Sequence, residues 1–93
     1  MEELKDEITR LVGTMQREID ARGNPPGTWL NWRLMRLHAQ IVDAMEGAYP
    51  EDIGGFSHVT ELRKTIRASV SKQRDKIVVS VSCAVEPLDL GYG

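Results

Sequence analysis

The side chains in this chain that could do chemistry are few and scattered: His38, His58, Glu61 and the single cysteine, Cys83. A zinc site needs three or four ligands drawn from Cys, His and carboxylate, and no such spacing occurs here. His58 and Glu61, three residues apart, would supply two ligands at most. A Cys–His nucleophile fails on similar grounds. Cys83 lies in an alternating apolar run, where a free cysteine behaves as a small buried hydrophobe. No base or helix terminus adjoins it in sequence to lower its thiol pKa. Gly54-Gly55 lacks the lysine and spacing of a phosphate loop. Followed by Phe56-Ser57, the pair could turn backbone N–H groups toward an anion at a helix start, but a plain turn explains it equally well. These residues point to no enzyme, no cofactor and no metal.

The strongest polar feature is a basic segment. Between Glu61 and Lys76 lie Arg63, Lys64, Arg67, Lys72, Arg74 and Lys76 against two acids, a net charge of +4, while residues 1–22 carry −2. Arg63, Lys64, Arg67, Lys72 and Arg74 are the candidate contacts to nucleic acid or another anion, because neutralised phosphates drive such binding. Thr65, Ser69 and Ser71 could add hydroxyl contacts. A solvated helix face explains them more simply, since the whole chain has a pI near 5.6.

Trp29 and Trp32 stand three residues apart at the start of a helical stretch, and large aromatics of this kind anchor interfaces. Both are candidate interface residues, as are Val79, Val81 and Val85 in the C-terminal apolar run.

Apolar spacing defines the elements that carry these residues. Leu4, Ile8, Leu11 and Met15 recur at steps of four and three, with Val12 and Ile19 widening the stripe, which predicts a helix over about 2–22. Gly23-Asn24-Pro25-Pro26-Gly27 stops it, with Gly23 suited to the left-handed residue after a helix end. Thr28 is the expected N-cap of a second helix over about 28–47, with Leu30, Leu34, Leu37, Ile41 and Met45 on its seam and Trp32, Met35, Val42 and Tyr49 on an adjoining face. A short loop of this kind returns the chain antiparallel. Val59, Leu62, Ile66 and Val70 predict a third helix over about 58–74.

The run Ile77–Val85 is different. Its odd positions are all apolar and its even positions mostly small or polar, the pattern of a strand with one buried face. Pro87 closes it. With no second run of that pattern, the strand is expected to pair between chains. The expected fold is therefore mainly α (α+β), three helices with a single C-terminal strand.

Ninety-three residues make one small domain, 1–93, with 86–93 expected to trail as a flexible tail. A core of this size gains from oligomerisation, and a lone cysteine excludes a disulfide scaffold. No apolar run is long enough to span a membrane, and the acidic start lacks a signal-peptide core, so a cytoplasmic protein is expected. The leading expectation is a non-enzymatic homodimer or higher oligomer that works through protein interaction, as assembly factors, inhibitors and regulators carried by mobile elements do. A further protein is a second expected partner. One alternative is a nucleic-acid-binding regulator using 63–76. Another is a nucleotide or anion sponge built at an oligomer interface from Arg67, Lys72 and the Gly54-Gly55 turn.

Overall fold

The computed structural model describes residues 2–48 and 62–87. Two helices, α1 (Glu2–Arg22) and α2 (Gly27–Ala48), are followed by two strands, β1 (Leu62–Gln73) and β2 (Lys76–Pro87). The helices form an antiparallel pair, and the strands form a hairpin laid against them. β1 meets α2 and β2 meets α1.

The helices lie where the apolar spacing places them. Leu11, Met15 and Ile19 of α1 and Leu37 and Ile41 of α2 are buried together, with Val79 of β2 closing the core from the sheet side. Gly23 ends α1 at φ +80°, and its N–H donates to the Ile19 carbonyl at 3.1 Å. A residue with a Cβ would be strained in that conformation. α2 begins one residue earlier than expected. The Pro26 carbonyl accepts the Leu30 N–H at 3.1 Å, which places Thr28 inside the first turn and not at the cap.

The expected third helix over 58–74 is overturned by β1. The apolar residues Leu62, Ile66 and Val70 recur every four positions, and four is compatible with both a helix turn and a strand alternation. The residues between them decide the matter. Ala68 joins the apolar set at a step of two, whereas Thr65, Arg67, Ser69 and Ser71 alternate with it as polar positions. The first residues of that expected helix, 58–61, lie outside the described residues.

The single strand pairing between chains is corrected in the same way. β2 pairs antiparallel with β1 of its own chain, with Val70 opposite Val79 and Ile66 opposite Cys83. Arg74 and Asp75 make the two-residue turn, Arg74 at φ 59°. Glu86 and Pro87, expected to begin a tail, end β2. Residues 88–93 lie outside the described residues.

Cross-strand partners share a face, so the register sorts every hairpin residue. Ile66, Ala68, Val70, Ile77, Val79 and Val81 face the helices. Arg67, Ser69, Ser71, Ser80 and Ser82 face away from them. Among the described residues, no helix is long and apolar enough to cross a membrane.

Candidate interaction surface

Three polar contacts fix how the layers sit. Arg33, on the buried line of α2, is only 3% exposed. Its Nε and Nη2 donate to the two carboxylate oxygens of Glu18 on α1, both at 3.0 Å, and Nη1 donates to Gln40 Oε1 at 3.4 Å. The Arg33 guanidinium holds the Glu18 carboxyl below the usual carboxylate range, against a smaller opposing effect of burial. Gln16 links α1 to the hairpin through the β2 backbone. Arg22, at the end of α1, lies over the Trp29 ring at 4.3 Å and closes the loop end of the helix pair.

The sequence-expected interface residues separate into two groups. Val79 is buried in the core, and Val81 packs half-buried against it. Val85 is half-buried beside Leu4, Ile8 and Cys83 in an open cleft between α1 and β2. Their side chains hold the hairpin to the helices. Trp29 is half-buried against the core, whereas Trp32 is 53% exposed.

The sequence spacing already sets Met35 beside Trp32 on a second apolar face of the helix. Met35 is 67% exposed on the same outer face of α2. Trp32, Met35, Ala39 and Val42 follow at steps of three, four and three, the spacing of a helix–helix seam. Val42 is half-buried and the other three are exposed. Arg36 lies over the Trp32 ring at 5.7 Å. Asp43 and Glu46, both exposed, occupy the C-terminal part of that face. The sequence shows this face beside the deeper seam through Leu37 and Ile41, and the structure adds that Trp32 and Met35 stay uncovered.

The basic residues do not gather into one cluster. Lys64 and Lys72 hold helix-facing register positions near opposite ends of β1, while Arg67 faces outward and Arg74 sits in the turn. Arg63 pairs with Glu86 in the strand register. Arg67 and Lys72 therefore lie on opposite faces of the sheet and cannot close on one anion within a chain. The Gly54-Gly55 turn lies outside the described residues.

The candidate chemical groups stay apart as well. His38 is exposed on α2 and lines an open cleft with Glu46 and Thr65. His58 and Glu61 lie outside the described residues. Cys83 is exposed at the rim of the α1–β2 cleft, where it was expected to be buried. Neighbouring atoms still desolvate its sulfur enough to raise the thiol pKa, which disfavours the nucleophilic thiolate. Among the described residues, no three His, Cys, Asp or Glu side chains are placed to hold a metal. No protein-family model, curated protein or solved structure matches this chain.

Proposed function

We propose that this chain is a non-enzymatic interaction module that acts as a homodimer, with the outer face of α2 set against the same face of a second copy. The observation that carries this reading is the pair Trp32 and Met35, both more than half exposed on one helix face. Exposed large apolar groups that follow a seam spacing cost solubility unless something covers them. A twofold axis is the simplest way for a face to cover itself.

Charge and shape complementarity support the second copy as the occupant. With antiparallel helices and the axis between Ala39 and Gln40, Arg36 of each copy meets Asp43 of the other. Trp32 then lies opposite Gly47, where an added Cβ would meet no atom within 4 Å. Large meets small and cation meets anion at each end. One helix pair is at the small end of protein interfaces, so a dissociation constant of roughly micromolar order is expected.

Light scattering at rising concentration tests this. The wild type moves toward twice the monomer mass, and Trp32→Gln with Met35→Gln keeps the monomer mass. Arg36→Asp and Asp43→Arg each weaken association, and the two together in one chain restore it. A wild type that stays monomeric at ~100 μM, far above the expected constant, overturns the reading.

A further inference from the structure

The outward face of the hairpin takes no part in holding the fold. Its central positions are Arg67, Ser69 and Ser71 on β1 and Ser80 and Ser82 on β2, with Arg67 opposite Ser82 and Ser69 opposite Ser80. All five residues are exposed. From Thr65 to Gln73 and from Lys76 to Ala84, this face carries no carboxylate. The hairpin as a whole has six Lys and Arg against Asp75 and Glu86, a net +4 in a chain whose formal charge is −2. The acids are elsewhere, and one of them, Asp20 of α1, reaches Lys76 at 4.0 Å.

We infer that this outward face docks on the sugar–phosphate backbone of a nucleic-acid duplex. Hydroxyls and guanidinium groups are the side chains that contact phosphate oxygens, and here they alternate along a ribbon whose central positions carry no carboxylate. Size agrees. Strands of twelve residues extend about 40 Å, roughly one turn of duplex, and a two-stranded ribbon is narrow enough for the major groove. Other anionic surfaces fit less well. The face has no aromatic anchor around which a protein partner would pack. Val78 is its one sizeable apolar group, too little to seat in a lipid surface.

Arg67 and Arg74 are available to this face, and Lys76, 63% exposed and 4.0 Å from Asp20, can turn to it. Three phosphate contacts give a slope of about −2.7 in log K against log salt, a weak and strongly salt-dependent interaction. The contact does not require the α2 dimer, so a monomeric protein would leave it standing.

Fluorescence anisotropy of a labelled duplex of ~20 base pairs at low salt tests the inference, because phosphate contacts are strongest there. The wild type binds with the slope given above. Arg67→Ala with Arg74→Gly weakens binding by about tenfold or more, since two phosphate contacts are lost. The control, Arg10→Ala with Arg17→Ala, removes the same charge from exposed positions of α1 and changes affinity less than about twofold. Circular dichroism verifies that both variants are folded, and amide shifts on adding duplex fall on Ser69, Ser80 and Ser82. No binding by the wild type overturns the inference. So does equal weakening in the two variants, or amide shifts confined to the Trp32 face. Binding of polyglutamate as tightly as duplex overturns it too, in favour of an acidic protein.

Discussion

Gln16 meets Val79 as a neighbouring strand would. Its Oε1 accepts the Val79 N–H at 2.9 Å while its Nε2 donates to the Ile77 carbonyl at 2.8 Å. A carbonyl and an N–H two residues apart point to the same side of a strand, so one carboxamide satisfies both. These groups lie on the edge of β2 turned away from β1, because Val79 and Val70 form a non-hydrogen-bonded pair in a hairpin closed by two residues. One side chain thus blocks part of an edge that would otherwise invite another strand.

Gln16→Leu keeps the size of the side chain and removes both bonds to β2, together with an exposed one to Asp20. Each bond to β2 is worth about 1 kcal/mol, so urea unfolding should show a loss of ~1–2 kcal/mol. Hydrogen exchange at Val79 should accelerate, while the Ser80 amide, which faces β1, keeps its protection. Equal acceleration at both amides would mean that the whole hairpin had loosened, and the edge contact would not be the cause.

Arg33 and Glu18 make an asymmetric pair, one almost fully buried and the other 42% exposed in its side chain. The asymmetry predicts unequal costs for removing either partner. Glu18→Ala strands a buried guanidinium with Gln40 as its remaining partner, costing roughly 2–3 kcal/mol. Arg33→Met fills similar volume with apolar atoms and returns Glu18 to water, so its cost should be below about 1 kcal/mol. Chemical denaturation of the two variants settles the order, and an Arg33→Met variant less stable than Glu18→Ala would refute it.

The same pair fixes a pH dependence. Hydrogen bonding to Arg33 lowers the Glu18 pKa in the folded state, so the folded form binds its proton less readily than the unfolded chain. The stabilisation is complete at neutral pH and is lost as pH falls below the ordinary glutamate value, near 4.3, through the lowered folded value. With Glu18 partly exposed, solvent screening holds this contribution to under about 1 kcal/mol. Stability measured from pH 6 down to 2 should fall less steeply for Glu18→Gln than for wild type.

The helices were legible because Ile8, Leu11 and Met15 combine a step of three with a step of four, which the single face of a strand cannot use. β1 was not, because Leu62, Ile66 and Val70 fit both periods and its partner strand is local. Arg74-Asp75 reads as a turn into β2, and it becomes a hairpin turn only when the run before it is recognised as alternating too. Arg33 and Gln16 left fainter marks. A cation four residues before Leu37 looks like an interruption of the seam until Glu18 arrives from the other helix. Gln16, next to buried Met15, reaches Asp20 one turn on at 3.2 Å, but its other two partners are backbone groups of β2 more than sixty residues away. Contacts to a distant backbone carry no residue pattern that a sequence could display.

The turn that makes this hairpin is also strained. Arg74 holds φ at 59°, a left-handed conformation that costs a residue with a Cβ about 1–2 kcal/mol and a glycine almost nothing. Arg74→Gly should therefore stabilise the fold, by ~0.5–1 kcal/mol once the greater freedom of glycine in the unfolded chain is subtracted. A glycine elsewhere in the hairpin, such as Ser80→Gly on the outward face, should destabilise it by a similar amount. Thermal unfolding of the two variants separates a local turn effect from a general effect of glycine. The same substitution removes one of the three cations assigned to phosphate contact, so Arg74→Gly is expected to raise the melting temperature and weaken duplex binding together. Opposite movements in stability and affinity from one residue are difficult to produce by partial unfolding, which would lower both.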